Sequence, residues 1–429
     1  MNENNWKPKW NKEQIKTLLV EQFQSFLKCP NGIEREKLAD LKSYFSSPQV
    51  VIITGLRRVG KSTLLAQFAH TMDEGLFYYL NFDDERFLGF ASEDFNDLLQ
   101  VMIEVFGERN LMFLDEIQNV PGWERFVRRM SDAGMKFYVT GSNASLLSQE
   151  LGTRLTGRYI PVELYPFSFR EYLKFKGIEG LEENILTTRE NARLQRLLTT
   201  YLMDGGIPEP LKYPDIPLRQ TLYEDILYRD IASRHHIEDV RSLKELVFYL
   251  MSNVAHTISY NKLKEQLHLG SVNTIKSYID YLETSWLMFA INLYDYSVKR
   301  QQIAPKKIYA IDTGLSSAVS FSSSPNTGWL MENVVFLELK RRVSEVYYYM
   351  TPSRKEVDFY APSRHLLIQV STNLENPQTY ERETSALFEA METLKNTSGI
   401  ILTDGGSSEV EQADRTIQIR NLGRWLLGG

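Results

Sequence analysis

The stretch Gly55-Leu56-Arg57-Arg58-Val59-Gly60-Lys61-Ser62 fits the pattern G-x-x-x-x-G-K-[ST] at every fixed position. Its flanks give the match meaning. The apolar run Val50–Thr54 precedes it as a strand, and Ser62–Met72 follows with helical spacing. A glycine-rich turn between strand and helix lets backbone N–H groups face inward and wrap phosphate oxygens, helped by the positive end of the helix. Gly55 through Thr63 is therefore the candidate nucleotide-binding segment. Within it, Lys61 supplies a point charge to the outer phosphates, and the Ser62 hydroxyl is a candidate ligand for Mg2+.

Four more short apolar runs lie outward from it: Leu76–Phe82, Leu111–Asp115, Phe137–Gly141 and Tyr159–Glu163. They alternate with segments long enough to hold helices, which predicts a parallel sheet covered on both faces. The run Leu111-Met112-Phe113-Leu114-Asp115-Glu116 ends in two carboxylates. A buried strand delivers Asp115 to the Mg2+ side of the phosphates. Glu116, one residue later, is placed to polarise a water for attack on the γ-phosphate. The next run ends Tyr138-Val139-Thr140-Gly141-Ser142-Asn143. Ligands of open α/β sheets lie at the carboxyl ends of strands, so Ser142 or Asn143 is a candidate for contacting the γ-phosphate or the attacking water. Both residues are equally good helix caps. In Gly152-Thr153-Arg154-Leu155-Thr156-Gly157-Arg158, Arg154 and Arg158 are candidates to present a guanidinium to a phosphate, in the same chain or across an interface. Arg158 is preferred, because Gly157 lets the backbone approach closely.

The chain has 429 residues, which as a prior suggests about three domains. Hydrophobic residues are 43% and charged residues 24%, which excludes a disordered, collagen-like or disulfide-stapled chain. The net charge of −6 argues against a protein coated in basic charge for bulk nucleic-acid binding, but leaves room for a local patch. With Cys29 the only cysteine, no intrachain disulfide or cysteine zinc cluster can form. The histidines show no metal spacing. The first residues lack the basic-then-apolar pattern of a signal peptide. No apolar run approaches the ~20 residues that span a bilayer. The expectation is a cytoplasmic protein with no membrane partner.

The order of phosphate loop, Asp115-Glu116, Thr140–Asn143 and Gly157-Arg158 resembles an AAA-type ATPase core. Three further stretches sharpen the resemblance: Leu164-Tyr165-Pro166-Phe167-Ser168-Phe169-Arg170-Glu171-Tyr172, Gly205-Gly206-Ile207-Pro208-Glu209 and Leu227-Tyr228-Arg229-Asp230-Ile231. Together they resemble a prokaryotic family that joins this core to a C-terminal domain of unknown function. Its relatives are archaeal-type ATPases with a winged helix and a nuclease-like tail. The resemblance covers the chain from near Phe45 to near Ile419. It implies an α/β fold: a P-loop NTPase parallel-sheet core with a helical lid, a winged helix, and a C-terminal α/β domain of PD-(D/E)xK type. It divides the chain into the ATPase core (49–165), the lid (166–240), the winged helix (241–315) and the nuclease-like domain (327–429); helical spacing of Leu18, Leu19, Phe23, Phe26 and Leu27 makes 1–48 an N-terminal helical segment, and the Ser-rich composition of Ser316–Asn326 makes it the linker candidate. It implies Mg-dependent ATP hydrolysis, with ATP and Mg2+ as cofactors, Ser62 and Asp115 on the metal, and Glu116, Lys61, Arg158 and Asn143 as the catalytic set.

In the winged helix, Leu243–Val254, Tyr260–Leu267 and Ser271–Leu282 are the three helices. Asn273, Thr274, Lys276 and Ser277 would face a groove, with Lys299, Arg300, Lys306 and Lys307 on phosphates. Candidate partners beyond ATP and ADP are double-stranded DNA through this module, a second copy of the chain, or another protein. A PD-(D/E)xK site needs a helix carboxylate, a strand Asp and a Glu-x-Lys on the next strand. Glu332 or Glu338 fits the first and Asp358 the second, but Gln369 and Ser371 replace the acid and the lysine, and Lys355 is a neighbouring lysine only. A nuclease-like domain without nuclease activity is the expectation. Two readings of the whole remain: an ATPase whose cycle moves lid and winged helix, or a nucleotide-gated DNA- or protein-binding module with very slow turnover.

Overall fold

The computed structural model describes residues 11–144, 155, 157–181, 186–320, 326–372 and 374–428. They divide into two compact units, Met1–Leu164 and Tyr165–Gly429. In the first unit, β1 (Val50–Thr54), β2 (Phe77–Asn81), β3 (Leu111–Asp115), β4 (Lys136–Gly141) and β5 (Tyr159–Glu163) form one parallel sheet in the order β2-β3-β4-β1-β5. All five apolar runs of the sequence are strands of it. β1 and β3 are buried from end to end, which is why each reads as an unbroken apolar run rather than an alternating one. All five strands point the same way, so the chain leaves β1, β3 and β4 at one rim, and Gly55, Asp115 and Ser142 gather there. β5 is an edge strand; its Pro161 pairs with Ile52 and is exposed.

The helix Lys12–Leu27 begins at Asn11, whose side chain accepts from the Glu13 N–H at 3.0 Å. It packs on β2 and on the helix Phe95–Phe106. Leu18 and Leu19 share one core with Val50, Ile52, Leu80 and Phe95. Residues 11–48 thus belong to the same unit as the sheet.

The second unit opens with helices Phe169–Phe175, Thr188–Asp204, Pro208–Lys212 and Leu218–Asp225, the last running into a π-helical stretch, Ile226–Ser233. The glycines that follow Asp204 are there for packing. Asp312 accepts from the Gly206 N–H at 2.6 Å and caps the helix Thr313–Val319 through the Leu315 N–H at 2.8 Å. A Cβ at Gly206 would lie 2.4 Å from the Phe167 carbonyl oxygen.

Helix Val240–Ser252, β6 (Thr257–Ile258), helices Tyr260–Gln266 and Val272–Thr284, β7 (Met288–Ile291), helix Val298–Ile303 and β8 (Lys306–Ala310) follow in turn. The three strands pair antiparallel in the order β6-β8-β7. The Ser-rich stretch after them is not the linker expected. Ser316 is buried inside the helix Thr313–Val319 and donates to the Met251 carbonyl at 3.0 Å. Residues 321–325 lie outside the described residues.

Helix Thr327–Arg342 leads to β9 (Tyr347–Met350), β10 (Glu356–Ala361), β11 (Leu366–Val370), helix Pro377–Leu394, β12 (Ser398–Thr403), β13 (Ser408–Gln412) and β14 (Arg415–Asn421). The six strands form a mixed sheet in the order β13-β14-β12-β11-β10-β9. Leu387 and Met391 of the helix pack on Val357, Leu367, Ile401 and Ile417 of the sheet. Among the described residues no helix is long and apolar enough to cross a membrane.

Candidate nucleotide site

β1 ends at Thr54 and the chain turns at Gly55, where a Cβ would lie 2.2 Å from the Leu164 carbonyl oxygen. Only glycine fits that approach. Gly60 closes the loop in the left-handed region, at φ 98°, and is the cap of helix Lys61–Ala69, without a capping side chain of its own. Those N–H groups make an anion cradle. Leu56 and Val59 anchor the loop in the core, while Arg58 is exposed, Arg57 and Thr63 are half-buried, and Ser62 is exposed at the rim. The Lys61 ammonium is 4% exposed. It donates to the carbonyls of Gly55 (3.2 Å) and Leu56 (3.1 Å) and lies 3.6 Å from a Glu116 carboxylate oxygen.

The two carboxylates at the end of β3 are held apart in role by their surroundings. Asp115 is buried, and accepts from the Thr140 hydroxyl on one oxygen and from the Tyr79 hydroxyl at 3.1 Å on the other. Burial pushes its carboxyl up and the Glu116 charge adds to this; hydrogen bonds from Thr140 and Ser62, and the Lys61 ammonium, pull it back. Burial, and then Asp115 itself, push the Tyr79 phenol well up, so it stays a donor. A hydroxyl and a buried carboxylate are hard oxygen donors that suit Mg2+, and a cation there would offset the burial of the Asp115 charge. A cleft of about 370 Å³ opens beside Ser62, with Tyr79, Asn81 and Arg86 among its lining residues.

Glu116 adopts φ 50°, a left-handed conformation that costs a non-glycine residue on the order of 1–2 kcal/mol. Its N–H donates to the Thr140 hydroxyl at 3.0 Å, and its carboxylate accepts from Gln118. The Thr140 hydroxyl therefore ties both acids together, donating to one and accepting from the main chain of the other.

The structure brings Gly55–Thr63, Asp115, Glu116 and the end of β4 to one rim. Asn143 is buried there, and the buried Ser142 hydroxyl lies 3.5 Å from the Gln118 amide. Arg158 is not brought to the phosphate loop of its own chain. It precedes β5, at the end of the sheet where β1 begins, and its carbonyl accepts from Val50. Its guanidinium pairs with Asp132. Arg154 lies outside the described residues. Sequence reading named Thr140 only within the stretch Thr140–Asn143, giving it no role, and passed over Tyr79, Gln118 and Arg35. The Arg35 guanidinium is 4% exposed and donates to the Val59 carbonyl of the loop at 2.9 Å, while Gln67 ties down the segment around it through Asn31, Ile33 and Arg35.

In the second unit, Asn273, Lys276 and Ser277 are exposed on helix Val272–Thr284, whereas Thr274 is spent on the cap with Ser271. Lys299 is exposed and Arg300 pairs with Asp295 at 3.1 Å. Lys306 and Lys307 are not phosphate contacts. Lys306 is bonded to Asn292 and Gln301, and Lys307 is 1% exposed among carboxylates. Of the two helix acids, Glu332 meets Asp358 through Lys307. Glu338 instead pairs with Arg341 and Arg342, and Lys355 with Glu389.

Residues 47–173 match a family described as an AAA domain, and residues 195–326 one described only as a domain of unknown function. An uncharacterized protein of Methanocaldococcus jannaschii is 34% identical over 397 residues, covering 88% of this chain and 88% of the relative. One of Haemophilus influenzae is 30% identical over 411 residues, covering 92% and 98%. A solved Walker-type ATPase of Pyrococcus abyssi aligns with 67% of this chain and 95% of its own at 16% identity, with a TM-score of 0.43.

Proposed function

The chain belongs to one family with these Methanocaldococcus and Haemophilus proteins and carries an AAA domain at residues 47–173, and from that premise we propose that it is a Mg-dependent ATPase. The observation that carries the reading is the convergence of Lys61, Asp115 and Glu116 at one rim of a parallel sheet, with one threonine bonded to both acids. In this reading the loop amides and Lys61 hold the phosphates. Ser62 and Asp115 would hold Mg2+, which would supply charge neutralisation to the phosphates. Glu116 takes the proton of the attacking water, and Asn143 positions that water. Arg158 acts on the site of a second copy. The nucleotide cycle moves the lid (166–240) and the winged helix (241–315). The test is Mg-ATP binding by calorimetry together with turnover. Binding that survives Lys61→Ala unchanged sinks the site assignment.

A second reading has its own observation. The Glu116 carboxylate is engaged by Gln118 and faces Lys61. A base so held must be released before it can work, which favours a nucleotide-gated module with very slow turnover. The winged-helix reading rests on three helices with a three-stranded antiparallel sheet in the order β6-β8-β7. Asn273, Lys276, Ser277 and Lys299 are the exposed candidates for double-stranded DNA. Turnover with and without added duplex DNA separates the two readings: stimulation favours the gated module, and fast turnover without DNA favours the plain ATPase.

A further inference from the structure

The strand β8 is buried along its whole length, and the Lys307 ammonium ends among three carboxylates drawn from two other elements. Nζ lies 2.7 Å from Glu332 of helix Thr327–Arg342, and 2.7 Å and 2.8 Å from Glu356 and Asp358 of β10. Three hydrogen-bonded acceptors satisfy an ammonium completely. Two of the carboxylates are also fixed independently of it. Glu332 accepts from the Tyr309 hydroxyl at 2.7 Å. The second oxygen of Asp358 accepts from the Val370 N–H at 2.9 Å. The Asp358 N–H donates at 3.1 Å to Gln369, whose amide in turn donates to Glu383 at 2.5 Å. Behind the strand, Asn333 makes a two-way pair with the main chain of Ala310, holding β8 against the helix.

Burial by itself would drive the ammonium toward neutrality. Asp358, Glu332 and Glu356 more than reverse that and raise it well above the ordinary lysine value. Burial and the nearby Asp358 push the Glu332 carboxyl up, as happens where negative charge exceeds what one cation offsets. The ammonium fills the space between the three carboxylates at hydrogen-bond distance from each, and a divalent metal drawing those oxygens to about 2.0–2.2 Å would have to take its place. Among the described residues, no group of three or more His, Cys, Asp or Glu is spaced to hold a metal as it stands.

We propose that the Glu332–Glu356–Asp358 cluster is a cation site whose resident cation is the chain's own Lys307, and that this ammonium keeps out a divalent metal and with it metal-dependent phosphodiester cleavage. The inference stands apart from the nucleotide site and survives if that reading fails. It gives the expected lack of nuclease activity a more direct cause than the missing strand carboxylate at Gln369, namely that the place of the metal is filled from β8. Glu356 is partly open to solvent and marks the route by which a metal would arrive once the lysine is shortened or neutralised.

Mn2+ uptake, measured without nucleotide by the loss of the free-ion EPR signal, tests this. Compared, by Mn2+ uptake and by plasmid nicking, are the wild type, Asp358→Asn, Lys307→Met, and Lys307→Met combined with Asp358→Asn. Lys307→Met should take up one Mn2+ per chain more than the wild type, and Asp358→Asn should remove that extra ion. Should Lys307→Met be unfolded without metal, Mn2+ must raise its Tm, because a ligand that binds only the folded form stabilises it. Two results overturn the proposal. One is a Mn2+ ion, or plasmid nicking, in the wild type that disappears with Asp358→Asn. The other is a Lys307→Met protein, folded or not, that gains neither Mn2+ nor metal-dependent stability.

Discussion

Thr140→Val removes one hydroxyl and keeps the shape of the side chain. That hydroxyl has two tasks: it donates to Asp115 and accepts from the Glu116 N–H. A hydrogen bond to a charged group contributes about 1.5–3 kcal/mol. At about 1.4 kcal/mol per decade, the Mg2+ concentration needed for half-maximal turnover should rise by about 10–100-fold. The orphaned Glu116 amide should cost about 1–3 kcal/mol of stability in addition, seen as a lower Tm. The pH dependence has a definite sign. Asp115 is already raised by burial, and Thr140 is one of the groups that lowers it. Without that bond the protonated form persists to higher pH, so the acid limb of the turnover profile moves toward neutrality. A carboxyl raised on folding costs stability at pH above its unfolded value, so the variant should be most deficient at neutral and alkaline pH. Steady-state hydrolysis against Mg2+ and pH, with thermal melts in parallel, reads all three effects. Thr140→Ser, which keeps the hydroxyl, should stay close to the wild type. A Thr140→Val enzyme with wild-type Mg2+ dependence, acid limb and Tm would refute the idea that this hydroxyl organises the acids.

Lys61→Ala should abolish tight Mg-ATP binding in calorimetry, since it withdraws the buried ammonium from the loop. Glu116→Gln should bind Mg-ATP as the parent does while turnover falls ~10²–10⁴-fold; an unchanged rate moves the base elsewhere. Arg158→Ala should leave Tm nearly unchanged, because its pair with Asp132 is solvated. If Arg158 serves a neighbour's phosphates, its loss lowers turnover, and mixing that variant with Lys61→Ala restores part of it; wild-type turnover by Arg158→Ala alone ends the idea.

The phosphate loop was legible because its chemistry demands consecutive residues: the backbone itself is the ligand, so the spacing is written in eight adjacent letters. The five strands were legible because burial on both faces leaves unbroken apolar runs. Thr140 and Tyr79 were not, because they reach Asp115 through sheet register, from 25 and 36 residues away in the chain. Lys307 shows the same limit more sharply. Read along the chain it is one of two adjacent cations after Pro305, suited to a surface. Its fate depends on Asp358, 51 residues on, and on which face of β8 it takes. Ser316 misled through composition alone: serine is common in linkers, but the Asp312 cap about one helical turn earlier in the chain already starts a helix there. Arg35 carries no local signal at all, since a lone arginine becomes a loop brace only when Gln67 pins its segment.

Pro161 gives β5 a consequence for how copies of this chain can meet. The bonds from Val50 to Arg158 and from Leu164 to Thr54 turn the even-numbered residues of β5 toward β1. The odd-numbered ones therefore present their main chain outward, and at the middle of that row proline has no N–H to offer. A strand arriving from another molecule would lose a central rung of its ladder, so growth of the sheet into a continuous ribbon is blocked on this side. A ring or pair formed across this edge must be built from side chains and loops, which can be sealed and released reversibly, rather than from backbone zippering, which tends toward fibres.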